Sequence, residues 1–134
     1  MRLVYTAALL FITCFLFPCS VAGQTDVRLR AIAEIESGLS AGSTEVFAPY
    51  LSQNVGITMS GTTRTYDRNQ ALYVLRQFMS DFPSNGFHIL YEGNSGGTAF
   101  ASGVYKSTNG GTFEINIFVK VSGGTIDEIR IDRG

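Results

Sequence analysis

The residues able to do chemistry are few and scattered. The chain holds one histidine, His88, and two cysteines, Cys14 and Cys19, which both lie close to the N-terminus. Zinc and copper sites draw on several imidazole or thiolate ligands. A monomer with one histidine, and with cysteines only in a removable leader, excludes such a site and a thiol nucleophile. The neighbouring carboxylates Asp127 and Glu128 invite a hard-metal or acid–base reading. Adjacent residues of a strand point to opposite faces, however, so this pair reads as a solvated strand end. Glycine-rich runs at 93–97, 107–111 and 122–124 join strand to strand, whereas a phosphate-cradling loop leads from a strand into a helix N-terminus. His88, alone on a strand, reads as a surface or interface residue. Tyr66, Tyr73, Tyr91 and Tyr105 are enough aromatics to line a pocket, but they form no motif. No catalytic constellation, metal site or cofactor motif emerges.

The first two dozen residues carry an address. Arg2 supplies a positive start, Leu3 to Phe17 is an almost unbroken apolar run, and Pro18 ends it before Ser20, Ala22 and Gly23. This is the layout of a secretory signal peptide, with cleavage expected after Ala22 or Gly23. The alternative for the same stretch is an uncleaved anchor, since about 20 apolar residues span a bilayer. Cys19 follows Phe17 and Pro18, which does not fit lipid attachment at a new N-terminal cysteine. The expected product is an exported, periplasmic or secreted protein without cysteines, and hence without disulfides. Removing residues 1–23, which hold one basic residue and no acidic one, leaves 111 residues and moves the formal charge from −1 to −2. That length is one domain, residues 24–134, able to bury a core without staples. A mildly acidic chain with dispersed basic residues gives no footprint for nucleic acid.

Asp26 is the expected N-cap of a first helix whose Ile32, Ile35 and Leu39 share a face with Ala31, and Gly38 and Gly42 mark its exit. Ser43 begins a second, short helix with Val46, Phe47, Tyr50 and Leu51 on one side, shortened by Pro49. Val55, Ile57 and Met59 alternate as a strand, Gly61 turns the chain, and Thr62 to Tyr66 returns. Asp67 with Gln70 forms a capping-box pattern for a long helix. Ala71, Leu75, Phe78 and Phe82 form its buried stripe, with Leu72 and Met79 beside it, and Pro83 stops it. The period then becomes two: Gly86–Glu92, Thr98–Lys106, Thr112–Val121 and Ile126–Asp132 are predicted strands of an antiparallel array. The class is α+β.

Register follows from the turns. A two-residue turn at Asn109-Gly110 sets Val104 opposite Ile115. One face then holds Phe100, Ser102 and Val104 with Phe113, Ile115, Ile117 and Val119, and a turn centred on Ser95-Gly96 adds Phe87, Ile89 and Tyr91. This is the predicted core face, packed on the long helix. His88, Leu90, Ala101, Gly103, Tyr105, Glu114, Asn116, Phe118 and Lys120 take the other face, which is too apolar for an ordinary wet surface. Leu90, Tyr105 and Phe118 are therefore the expected anchors of a dimer or partner face. Ile129 and Ile131 need the core, but a simple turn at Gly123-Gly124 places them outside, so a bulge is expected there.

This element order resembles the nuclear transport factor 2-like superfamily, a cone in which a curved sheet wraps a long helix. The stretch Ile35-Glu-Ser-Gly-Leu-Ser-Ala-Gly-Ser, the segment Phe47-Ala-Pro-Tyr-Leu and the ending Ile129-Arg-Ile-Asp are similar to a group of short exported bacterial proteins of unknown function within it. The resemblance implies a pocket at the open end of the cone, for which Tyr66, Phe78 and Tyr91 are the candidate lining residues. It also implies comparison with ketosteroid isomerase, which uses a carboxylate base and an oxyanion hole built from a tyrosine and a carboxylic acid. In that family the tyrosine lies on the first helix and the base on the early strand. Here the first helix has no tyrosine and Val55 to Met59 has no carboxylate. The related dehydratases need an inward histidine, and His88 is expected to face outward. The expectation is a non-catalytic binder of a small apolar ligand, or of a protein partner, dimeric through the sheet. An isomerase or dehydratase is the alternative.

Overall fold

The computed structural model describes residues 29–134. They form helix α1 (Arg30–Ala41), strands β1 (Leu51–Met59) and β2 (Thr62–Asp67), helix α2 (Arg68–Asp81), and strands β3 (Ser84–Ser95), β4 (Thr98–Ser107), β5 (Thr112–Lys120) and β6 (Thr125–Arg133). The leader and Asp26 lie outside the described residues.

Helix α1 buries Ala31, Ile32, Ile35, Gly38 and Leu39. It ends because Gly42 takes a left-handed conformation (φ 72°), which costs glycine nothing. Gly38 is a notch: a β-carbon there would collide with the Phe47 ring and lie 2.6 Å from the Ser43 carbonyl oxygen. The second helix predicted from Ser43 is not formed. The segment runs through turns to a single 3-10 turn, Ala48–Tyr50, with Pro49 inside it. Leu51 is already extended, at φ −75° and ψ 140°, because Pro49 has no N–H to carry a helix further and β1 begins there.

Helix α2 follows β2 directly. The Gln70 backbone N–H donates to Asp67 Oδ1 at 2.8 Å, satisfying one of the open donors of the first turn. Ala71, Leu72, Leu75, Phe78 and Met79 are buried, a stripe of the 3.6-residue period. Phe82 closes the helix ahead of Pro83.

The six strands form one sheet in the order β2-β1-β6-β5-β4-β3. β1 and β6 are parallel, and every other pair is antiparallel. α1 packs across β3, β4 and β5, whereas α2 packs on β1 and β2. The core lies between this helix layer and the inner sheet face. Its fully buried side chains include Phe47, Phe87, Tyr105, Ile115, Ile117 and Ile129, and each apolar group of that size stabilises the fold by about 1.5–3 kcal/mol.

The register of β4 differs by one residue from the sequence expectation. Gly103 pairs with Ile115 and Tyr105 with Phe113, because the turn has three residues, Thr108 to Gly110, and not two. The Ser107 N–H donates to the Gly111 carbonyl (2.8 Å) and the Gly110 N–H to the Ser107 carbonyl (3.1 Å). Asn109 Nδ2 donates to the Asp81 carbonyl at 2.8 Å and the Thr108 N–H to the Pro83 carbonyl at 2.9 Å, so the turn is tied to the end of α2. A one-residue slip exchanges the two faces of a strand. Ala99, Ala101, Gly103 and Tyr105 accordingly face the core, and Phe100, Ser102 and Val104 face outward.

Two of the four register shifts in the sheet decide which face these residues take. Between Ile89 and Tyr91 the β3–β4 register shifts, which turns Tyr91 to the outer face. The turn there is Gly96-Gly97, since Ser95 pairs with Thr98. Between Phe118 and Val119 the β5–β6 register shifts in the same way. Ile126, Ile129 and Ile131 are thereby all buried, as the expected bulge near the last turn requires.

Candidate functional site

α1 packs on β3 and α2 on β1, and the C-terminal half of α2 reaches the region where β5 begins and β6 ends. A pocket of about 420 Å³ opens there. Val74, Phe78 and Phe82 line it from α2, Met59 from β1, Phe113 from β5 and Ile131 from β6. Tyr73, Gln77, Asp81, Ser60 and Arg133 complete the lining. A mainly apolar concavity of this size with a few polar groups is the common form of a small-molecule site.

One wall of the pocket is a braced aromatic cluster. The Phe78 and Phe113 rings meet edge to face with centroids 5.0 Å apart. Phe82 and Phe113 lie 4.7 Å apart, and Phe78 and Tyr105 lie 5.2 Å apart. The Tyr105 hydroxyl donates to the Phe82 carbonyl oxygen at 2.6 Å, which fixes the end of α2 over the start of β5. Burial pushes the Tyr105 phenol above its ordinary pKa, and the Ser84 side chain partly opposes that rise. The phenol thus stays neutral at physiological pH.

Arg133 supplies the cation of the site. Its guanidinium carbon lies 5.4 Å from the Phe82 ring centroid and 5.2 Å from that of Phe113, within the range of cation–π attraction. The pocket lining holds one carboxylate, Asp81, and no histidine. Among the described residues no three His, Cys, Asp or Glu side chains are grouped closely enough to hold a metal ion.

The six residues singled out from the sequence are not brought together in two groups. Phe78 lines the main pocket. Tyr66 borders a separate recess of about 240 Å³ with Ile57, Met59, Thr62 and Arg64. Tyr91 is 61% exposed and lies on the outer face, outside both of these recesses. Leu90 is 74% exposed at the β3 bulge, and Phe118 is half-buried on the outer face. Tyr105 is the correction: it is 0% exposed and belongs to the core, because the three-residue turn reverses its strand. His88 is exposed and pairs with outward-facing Val104.

Sequence reasoning missed Met59, Val74, Phe113, Ile131 and Arg133 as pocket residues. Arg133 had a usable signal. With Ile129 and Ile131 it forms a period-two series, so an arginine is placed on the inner side of a strand.

The outer face carries an aromatic row that the flipped strand creates. Tyr91 and Phe100 have centroids 5.6 Å apart, Phe100 and Phe118 6.5 Å, and the Arg130 guanidinium lies 5.0 Å from the Phe118 centroid. Phe100 covers Gly93, where a β-carbon would strike its ring.

A family model for a domain of unknown function, DUF4783, matches residues 32–132. A solved DUF4783 protein from Bacteroides ovatus ATCC 8483 is 26% identical over 76% of this chain and 94% of its own, with a TM-score of 0.71. One from Bacteroides fragilis YCH46 is also 26% identical, over 75% of this chain and 96% of its own, with a TM-score of 0.71. A nuclear transport factor 2-like protein of unknown function from Shewanella baltica OS155 shares the fold at 13% identity, covering 78% of this chain and 89% of its own, with a TM-score of 0.58. A comparison with curated proteins finds no match. With two helices on a curved, mixed six-stranded sheet and a family match across almost all of its described residues, the chain belongs to the DUF4783 family and has a nuclear transport factor 2-like fold.

Proposed function

We propose that this domain is an exported, non-catalytic module that holds a small apolar ligand in the pocket between α2 and the sheet. The pocket itself carries this reading: about 420 Å³, walled by Met59, Val74, Phe78, Phe82, Phe113 and Ile131. Removing apolar ligand surface from water there is worth roughly 25 cal/mol per Å². Export rests on the leader-like residues 1–23, and the N-terminal residue of the protein recovered from its native host tests it. A start at Gln24 or Gly23 supports export, and an intact Met1 opposes it.

Ligand binding is tested with a neutral apolar dye, Nile red, on the mature domain. Its fluorescence should rise on binding and lose that rise in Val74→Trp, which fills the pocket. Equal fluorescence in both proteins, with both folded by circular dichroism, would refute the reading. An isomerase or dehydratase needs an inward base with an oxyanion donor, and the lining offers only the exposed carboxylate of Asp81.

A second reading adds a partner face, a second copy of this chain on the outer sheet. It is motivated by the exposure of Leu90 and Tyr91 beside the Phe100–Phe118 row. Sedimentation should show a dimer that Phe118→Asp dissociates. A wild-type monomer at high micromolar concentration removes this reading.

A further inference from the structure

Arg133 sits where the apolar pocket meets water, and its surroundings define the kind of ligand that fits. Strand parity turns it inward with Ile129 and Ile131, and its guanidinium rests against the rings of Phe82 and Phe113. The ion pairs among the described residues are Lys120–Asp127 and Arg130–Glu128, so no carboxylate of the described chain lies within pairing distance of Arg133. Its strand neighbour Asp132 stands opposite Glu114 in the β5–β6 register, and both lie on the other side of the sheet. Asp81 is the one carboxylate of the pocket lining, and it too is beyond pairing distance.

A guanidinium steadied by two rings presents N–H donors suited to a carboxylate. From these observations we infer that the ligand is an amphipathic monocarboxylate, with its apolar tail in the pocket and its head paired with Arg133. This deepens the pocket reading and rests on it. One cation matches one negative charge, and Asp81 at the same rim repels a second, which disfavours a phosphate dianion. The pocket volume of about 420 Å³ gives room for a medium-length chain.

Titration calorimetry with decanoate, decanol, decyltrimethylammonium and decyl phosphate tests this on the mature domain, its Arg133→Gln variant and the filled-pocket Val74→Trp variant. Decanoate should bind wild type at least about tenfold more tightly than decanol or the ammonium, and more tightly than decyl phosphate. Arg133→Gln should remove the preference for decanoate over decanol, and Val74→Trp should abolish binding of all four. Equal affinities for decanoate and decanol, or a preference that survives Arg133→Gln, overturn the head-group assignment and leave the pocket reading standing. Tighter binding of decyl phosphate overturns the monocarboxylate. Failure of every probe to bind wild type overturns both.

Discussion

Tyr105 gives the sharpest test of the register, because the two possible faces of β4 assign it opposite roles. On the outer face its truncation would be felt by a partner and hardly by the fold. In the structure it is 0% exposed, touches the Phe78 ring and holds the end of α2 through its hydroxyl. Replacing a buried aromatic by alanine costs about 3–5 kcal/mol. At an m-value of ~1.5 kcal/mol/M in urea, Tyr105→Ala should lower the unfolding midpoint by roughly 2–3 M. Tyr105→Phe keeps the ring and loses one hydrogen bond, about 1 kcal/mol. The phenol adds a pH signature. Its folded pKa is raised, while the unfolded chain ionises near the ordinary value of ~10. The folded state therefore binds more protons above that pH, and stability falls as pH rises. This contribution is complete below pH ~10 and is lost as pH climbs through the folded value, so the advantage of wild type over Tyr105→Phe should shrink from pH 9 to pH 11. A loss below about 1 kcal/mol for Tyr105→Ala, or identical pH slopes for wild type and Tyr105→Phe, would show that the ring is not where this register puts it.

Substitutions at three further positions probe the packing of β3 and β4 and the start of α2. In Gly103→Ala the new β-carbon would lie 2.5 Å from the His88 carbonyl oxygen and 2.7 Å from Phe87 Cζ. Overpacking of this kind costs about 1–3 kcal/mol. Gly93→Ala meets only the tip of the Phe100 ring, which can swing outward, so Gly103→Ala should melt several degrees lower. The reverse order would contradict the assignment of the β4 faces. Asp67→Ala removes the acceptor for the Gln70 N–H and should cost about 1 kcal/mol in urea unfolding, with Asp67→Asn retaining most of the stability. Equal losses in the two variants would remove the cap from the account of α2.

The strands, the first and long helices, the α2 cap and the last bulge were legible because each rests on local chemistry, whereas the second short helix expected from Ser43 did not form. Asp67 and Gln70 are three residues apart, and Ile129 and Ile131 demand the core whatever the turn does. The β4 register was not legible. Asn109-Gly110 suits a two-residue turn and equally a three-residue one with glycine at its left-handed position. The bond that favours the latter reaches from Asn109 to the Asp81 carbonyl, 28 positions away. The site failed for a related reason. Its walls come from β1, α2, β5 and β6, so it exists only after the tertiary fold is assembled. Arg133 lay one residue beyond the predicted end of the last strand at Asp132, and that single missed position hid the one cation of the pocket.

The β4 sequence also shows why hydrophobicity misled. Phe100, Ser102 and Val104 are no less apolar as a face than Ala99, Ala101 and Gly103, and large residues were assumed to mark the core. Yet the His88 carbonyl and the Phe87 ring stand so close over Gly103 that a β-carbon there has no room. A β4 residue beneath that ring must be small, and the larger residues of the strand take the far side. There Phe100 shields the backbone at Gly93 and stacks with Tyr91 and Phe118. Tyr105 is the exception that fits this rule, since α2 ends above it and leaves space for a full ring. The same widening that admits Tyr105 continues outward past Phe78 and Phe113 into the open pocket.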